Sequence, residues 1–97
     1  MSHLKTVTFE IYGKVQGVFF RKHTYQEAKR LGLLGWCMNT DQGTVLGCIE
    51  GPEDKVEEMK NWLRNVGSPK STIDKAEFTR EENIEKVSFT KFNIRRY

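Results

Sequence analysis

The sequence predicts an α+β sandwich, in which an antiparallel sheet carries two helices on one face. Three observations support this class. Strand-like alternation opens and closes the chain, helical periodicity occurs twice in between, and glycines punctuate the segments. The order of elements is strand, helix, strand, strand, helix, strand. This order is typical of the ferredoxin-like βαββαβ fold.

The first strand and the first helix are separated by a glycine-containing loop. Apolar and polar side chains alternate over residues 5–12, which predicts a strand with one face toward the core. The loop lies within IYGKVQGVFFR (residues 11–21). Apolar residues then recur at helical spacing from Phe20 to Leu31, and Gly32 follows in the position of a C-terminal cap.

A hairpin and a second helix form the middle of the chain. GWCMNT (35–40) and TVLGCIE (44–50) predict two strands, and Gly43 between them supplies the positive φ of a short hairpin loop. GPEDKVEEMKNWLRNVG (51–67) predicts a helix with an unbroken apolar stripe from Val56 to Val66.

The last third of the chain alternates at IDKAEFT (73–79) and again at VSFTKFNI (87–94), with a polar segment between them. Because a right-handed helical crossover joins the first two strands of the fold, those strands run parallel and their carboxyl ends lie at one edge of the sheet. We therefore expect Arg21, just after the glycine loop, to lie close to Asn39, near the end of the second strand.

Length and composition predict a single domain over residues 1–97. The net charge is +3, and acidic and basic residues are mixed along the chain, so we expect no nucleic-acid partner. No apolar run approaches the length of a membrane span, and the N-terminus lacks the pattern of a signal or transit peptide. We expect a soluble, cytoplasmic monomer with no membrane insertion.

The two cysteines, Cys37 and Cys48, fall on the two predicted strands of the hairpin. A register shift of one residue decides whether they lie on the same face or on opposite faces. In a reducing compartment we expect two buried thiols without a disulfide. Neither lies in a basic cluster or in a metal-binding pattern, so the sequence favours neither a cysteine-nucleophile phosphatase nor a metal site.

The segment at residues 11–21 has the composition of an anion-binding loop. Backbone N–H groups at a helix start are unpaired and attract negative charge, and Gly13 and Gly17 allow the chain to curl around an anion. Arg21 opposes the helix dipole, which favours a functional role. Taken singly, the glycines are also compatible with a simple turn, and Arg21 and Asn39 with ordinary surface residues.

Together, IYGKVQGVFFR (11–21) and GWCMNTDQGTVLGCIEG (35–51) resemble the paired signatures of acylphosphatases. These enzymes hydrolyse the mixed anhydride of a carboxylic and a phosphoric acid. The resemblance extends to GSPKSTIDKA and to the closing FNIRRY. It implies a ferredoxin-like fold, no metal or other cofactor, and a catalytic arginine and asparagine that match Arg21 and Asn39. Met38 departs from the family, in which basic or polar residues are more common at this position, and this would weaken attraction of the substrate.

The chemistry of these residue types fits such a reaction. The planar guanidinium of Arg21 can meet two phosphoryl oxygens at once, and the amide of Asn39 can align a water in line with the phosphorus. Backbone N–H groups supply the remaining donors. A carboxylate leaving group needs no strong general acid. The predicted phosphate-binding residues are Val15, Gln16, Gly17, Val18, Phe19, Phe20 and Arg21.

The sequence therefore predicts a metal-free hydrolase that cleaves acyl phosphates to a carboxylate and inorganic phosphate by direct in-line attack of water. Small acyl phosphates, and acyl-phosphorylated proteins, are the expected substrates, and the residues do not distinguish among them. A catalytically silent anion-binding module is an alternative that would have no use for Asn39. An RNA-binding domain would need stacking aromatics on the third strand, which residues 44–50 lack. A nucleotide hydrolase would need a Gly-Lys-Ser/Thr sequence after the loop, which is also missing.

Overall fold

Two helices pack on one face of a five-stranded sheet in the computed structural model, which describes residues 3–95. The α+β class and the order of the first six elements are confirmed. The strands are β1 (Leu4–Lys14), β2 (Leu34–Asn39), β3 (Val45–Pro52), β4 (Thr72–Ile84) and β5 (Phe92–Ile94), and the helices are α1 (Phe20–Arg30) and α2 (Glu53–Asn65).

The sheet has the strand order β4-β1-β3-β2-β5. β1 and β2 each pair antiparallel with β3, so they run in the same direction, as predicted. The short strand β5 pairs with β2 in parallel. The sheet is therefore mixed, and not antiparallel throughout as predicted. The alternation over residues 87–94 indicates a strand, but it does not indicate which strand of the sheet that strand pairs with.

β4 is longer than predicted, and β5 is shorter. The polar segment that was expected to end β4 continues the strand as far as Ile84, across a register shift opposite residues Thr6 to Thr8. β4 is an edge strand, and most of its second half is exposed, so polar side chains do not interrupt it. Only Phe92–Ile94 of the alternating segment 87–94 pairs with a neighbour.

The core lies between the helices and the face of the sheet that carries Val7, Phe9 and Ile11, each of which has no exposed surface. α1 buries Phe20, Thr24 and Ala28, and α2 buries Val56, Met59 and Leu63. Val66 was predicted to extend the stripe of α2, but the helix ends at Asn65 and 57% of Val66 is exposed. Within residues 3–95, neither helix is long and apolar enough to cross a bilayer.

The register of the hairpin separates the two cysteines. Cys37 is paired with Gly47, and Cys48 is paired with Trp36, so the two thiols lie on opposite faces of the sheet. Both are free and buried. Cys37 lies in the core below α1, whereas Cys48 contacts the hydroxyl of Thr6 (3.5 Å) on the other face. No disulfide can join them in this fold.

Candidate active site

The loop between β1 and α1 has an unusual backbone conformation. Gly17 has φ 74°, and a Cβ at this position would meet nothing within 4 Å. The backbone angle, not a lack of space, therefore favours glycine there. Phe19 lies in the same left-handed region (φ 57°) without being glycine, at a cost of roughly 1–2 kcal/mol. The loop keeps its shape against the local preference of its sequence.

Gly13 has a different role from the one predicted. It belongs to β1, and a Cβ there would overlap the carbonyl oxygen of Thr72 in β4. Gly13 therefore allows the backbones of β1 and β4 to approach each other. It does not shape the loop around an anion.

Backbone donors are concentrated where the loop enters α1. Among the described residues, the N–H groups of residues 16–22 make no hydrogen bond, and the N-cap residue Phe19 provides no side-chain cap. The first occupied N–H group of the helix is that of His23, which donates to the carbonyl of Phe19 (3.0 Å). Unpaired N–H groups at a helix start form a site for an anion.

Val15 must be removed from the predicted set of donors. Its N–H group donates to the carbonyl of Gly13 (3.1 Å), and its side chain is buried in the core. Val15 anchors the base of the loop. The predicted donors that remain are those of Gln16, Gly17, Val18, Phe19, Phe20 and Arg21.

Arg21 lies in the first turn of α1 and lines a surface hollow of about 520 Å³. The first turn contains no acidic residue that would offset its charge. Positive charge is therefore concentrated at the start of α1. It comes from the guanidinium, from the partial charge of the helix start and from the neighbouring Lys22. The other residues lining this hollow, which we call the loop hollow, are Gly17, Phe19, Phe20, Lys22 and Ile94.

Asn39 is the last residue of β2, on the same face as the buried thiol of Cys37 two residues earlier. Burial raises the pKa of Cys37 to about 12, and the positive charge of Arg21 opposes this rise only in part. The charge of Arg21 therefore acts on the part of β2 that ends at Asn39. The raised pKa also keeps the thiol protonated at neutral pH, so Cys37 does not provide a thiolate nucleophile.

The amide oxygen of Asn39 is buried and has no hydrogen-bond partner among residues 3–95. A buried acceptor without a partner costs about 1–3 kcal/mol, and few exist in native proteins. The nearby Thr40 and Thr44 do have partners, because their backbone and hydroxyl groups are hydrogen-bonded to one another. The oxygen of Asn39 therefore has an unused capacity to accept a hydrogen bond.

The side chain of Gln16 joins the loop to the hairpin that follows Asn39. Its Nε2 donates to the carbonyl of Thr40 (2.9 Å) and to the carbonyl of Thr44 (3.0 Å). From the sequence, only a backbone donor was predicted at Gln16. This side-chain link fixes the position of the unpaired N–H groups relative to Asn39.

A second link supports the hairpin from the opposite side. The hydroxyls of Thr40 and Thr44 lie 2.6 Å apart, and the hydroxyl of Thr44 donates to Oε2 of Glu10 in β1 (2.7 Å). Glu10, Thr40 and Thr44 were not predicted from the sequence. The only sequence feature that pointed to this link was the pair of threonines that flank the DQG turn. In the described part of the chain, no three His, Cys, Asp or Glu side chains are grouped as metal ligands would be.

The fold and this site define a small α+β domain in which unpaired backbone N–H groups lie near an arginine. Residues 7–94 match the Acylphosphatase family. The curated chicken (Gallus gallus) Acylphosphatase-2 is 53% identical over 92 residues, which cover 95% of this chain and 89% of that protein. The human Acylphosphatase-2 is 51% identical and is covered over 93% of its length.

Solved structures agree with this assignment. The crystal structure of acylphosphatase from Bacillus subtilis superposes with a TM-score of 0.86 at 31% identity, covering 95% of this chain and 99% of that one. The chain belongs to the acylphosphatase family. The predictions of a ferredoxin-like fold and of an enzyme that hydrolyses acyl phosphates are confirmed.

Proposed function

We propose that the enzyme hydrolyses small acyl phosphates by direct in-line attack of water, in a site formed by the loop hollow and the end of β2. Arg21 and the N–H groups of residues 16–21 would hold the phosphoryl group, and Asn39 would hold the water. One observation supports this above all others. Unpaired donors and an unpaired buried acceptor lie at the same end of the sheet, linked by the side chain of Gln16.

The proposed role of Arg21 follows from the charge of the transferred group. In the transition state the negative charge is spread over three phosphoryl oxygens, and a guanidinium can donate to two of them. The N–H groups are fixed by the loop and the helix, so they need no reorganisation during the reaction. Their combined effect is stronger stabilisation of the transition state than of the substrate.

The proposed role of Asn39 is to position the attacking water. It does not act as a base, since an amide does not accept a proton at neutral pH. Its oxygen accepts a hydrogen bond from the water, whose oxygen then forms a bond to phosphorus. The bond between phosphorus and the acyl oxygen breaks, and the carboxylate leaves with the electron pair. The proton of the water passes to the phosphate product or to solvent. Because a carboxylate is a stable anion, no acid is needed, and phosphate monoesters should react poorly.

We also propose that the reaction is metal-free. Arg21 and the helix start supply the positive charge that a divalent ion provides in other phosphoryl-transfer enzymes. Activity toward acetyl phosphate should persist in excess chelator. Loss of activity with chelator that a divalent ion restores would overturn this part of the proposal.

We further propose that residues 1–97 act as a single domain, as a monomer, in the cytoplasm, with acyl-phosphorylated proteins among the substrates. Two unbridged buried thiols suit a reducing compartment. The edge strand β4 carries charged side chains, which discourage pairing with a second copy. Sedimentation equilibrium tests the monomer, and a dimer at micromolar concentration would contradict it.

Three substitutions test the division of labour between Arg21 and Asn39. Arg21→Gln should weaken both phosphate binding and turnover, and Arg21→Lys should recover little, since an ammonium lacks the two-pronged contact. Asn39→Ala should leave phosphate binding nearly unchanged while kcat falls about 10²-fold, the usual scale for one positioned polar group.

Binding is measured as the stabilisation of each variant by inorganic phosphate, which binds only the folded state. Turnover is measured by steady-state kinetics. Arg80→Gln and Asn83→Ala make the same chemical changes at exposed positions of β4 and serve as matched controls. Equal loss of phosphate binding in the Arg21 and Asn39 variants, or near-normal turnover of Asn39→Ala, would contradict the assignment.

A further inference from the structure

A second hollow of about 530 Å³ lies between α1 and β5. Ile94 lines both this hollow and the loop hollow. The two hollows therefore adjoin at Ile94, and we call the second one the α1–β5 groove. Its lining includes Tyr25, Lys29, Lys91, Phe92 and Ile94.

We propose that the α1–β5 groove binds the acyl group of the substrate, and that the preferred acyl group is an apolar chain ending in a carboxylate. The proposal rests on the phosphoryl site proposed above. It concerns the class of acyl phosphate that the enzyme prefers.

The direction of the groove follows from the helix and the strand that form its walls. On α1, Lys22 lines the loop hollow, and Tyr25 and Lys29 line the α1–β5 groove. These residues are spaced i, i+3 and i+7, so they share one side of the helix and extend over roughly 10 Å of its axis. On β5, Ile94 is level with Cys37, whereas Phe92 is level with Gly35, farther from Asn39.

The α1–β5 groove has an apolar floor. The rings of Tyr25 and Phe92 lie 6.3 Å apart at 59°, and Phe92 is almost fully buried. Phe19 lines the adjoining loop hollow and keeps 71% of its surface exposed. An extended hydrocarbon chain attached to a phosphoryl group at Arg21 would pass Phe19 and Ile94 before it reaches Phe92. Each methylene buried there favours binding by about fourfold.

The far part of the groove is positively charged. It is lined by Lys29 and Lys91 and by no acidic residue. Among the described residues, neither ammonium lies within 4.0 Å of a carboxylate, and Lys29 stands 5.9 Å from the centre of the Tyr25 ring. The neighbouring hollow between the helices differs, since Glu27, Asp54 and Glu57 line it. Two unpaired lysines beyond an apolar floor fit a chain with an anionic end.

The test compares three substrates with the full-length enzyme: acetyl phosphate, octanoyl phosphate and the monophosphate of suberic acid. The last two have equal chain lengths and differ only in a terminal carboxylate. We expect kcat/KM to rise at least tenfold from acetyl to octanoyl phosphate. We expect a further increase of severalfold to the suberic derivative at low ionic strength, and this increase should shrink as salt is added.

Charge-reversal variants test whether the groove causes the increase in kcat/KM from octanoyl phosphate to the suberic derivative. Lys29→Glu and Lys91→Glu should reverse the preference for suberic over octanoyl phosphate, while the ratio of octanoyl to acetyl phosphate stays unchanged. Lys86→Glu makes the same change of net charge at an exposed position that lines neither hollow, and it should keep the preference. Ile94→Ala should lower the ratio of octanoyl to acetyl phosphate.

Equal kcat/KM for all three substrates would overturn the proposal. Equal effects of Lys86→Glu and Lys29→Glu on the preference for suberic over octanoyl phosphate would also overturn it. The Arg21→Gln variant separates this failure from that of the phosphoryl site. If phosphate binding survives Arg21→Gln, the phosphoryl site is wrong and the groove proposal falls with it. If phosphate binding needs Arg21 but none of the groove variants changes substrate preference, the groove proposal alone is wrong.

Discussion

Replacing Gln16 by Glu should loosen the loop between β1 and α1 from the hairpin that carries Asn39. The side chain keeps its size, but the amide that donates to the carbonyls of Thr40 (2.9 Å) and Thr44 (3.0 Å) becomes a carboxylate. Three acceptor groups then face one another without a proton between them. The loop must move away from the hairpin, or solvent must enter between them.

The size of the effect follows from what each carbonyl loses. Both keep another donor, since Thr40 accepts from the N–H of Gly43 (3.3 Å) and Thr44 accepts from the N–H of Thr40 (2.9 Å). The loss is therefore that of two ordinary hydrogen bonds, at about 0.5–1.5 kcal/mol each. A total near 2 kcal/mol lowers the Tm of a domain of this size by about 8–16 °C.

Turnover should fall further than stability suggests. A displacement of about 1 Å in a positioned group can cost about 10²-fold in rate. Thermal unfolding by circular dichroism measures the first effect, and steady-state hydrolysis of acetyl phosphate at 25 °C measures the second. Gln26→Glu makes the same change at an exposed position of α1 and should alter stability by less than about 0.5 kcal/mol. A Gln16→Glu enzyme with the Tm and kcat of the Gln26→Glu control would refute the role of this link.

Three further outcomes follow from individual residues. Gly13→Ala should cost about 1–3 kcal/mol in urea unfolding, because its Cβ would overlap backbone atoms of β4; a loss under 0.5 kcal/mol would disprove this. Cys37, whose pKa is raised by burial to about 12, should be alkylated at pH 8 at least ~10²-fold more slowly in the native than in the unfolded protein, as mass spectrometry can measure. Hydrogen bonds from Lys60 and Lys5 lower the pKa of Glu81, so this carboxylate stabilises the fold above its unfolded pKa of about 4.3 and ceases to do so as pH falls through its lower folded pKa. Glu81→Gln should therefore reduce stability by less than about 1 kcal/mol at pH 7 and by a smaller amount near pH 3, and a constant difference between these pH values would contradict the assignment.

The sequence by itself determined most of the elements and predicted two residues for the proposed site. Periods of two and of 3.6 residues located the first three strands and both helices, because these patterns arise from short stretches of chain that face one core. Arg21 and Asn39 were predicted for a similar reason. Each lies in a continuous motif, and the crossover between β1 and β2 brings the ends of those motifs to one edge of the sheet.

Only the tertiary structure decided which groups meet across the sheet. The partner of β5, the faces of the two cysteines and the link from Gln16 to the hairpin all depend on pairing between distant segments. Gln16 and Thr40 are 24 residues apart, and a register shift of one residue would point the hairpin side chains to the other face. Local periodicity does not encode such registers, because the free energy that selects them comes from burial and hydrogen bonding in the assembled sheet.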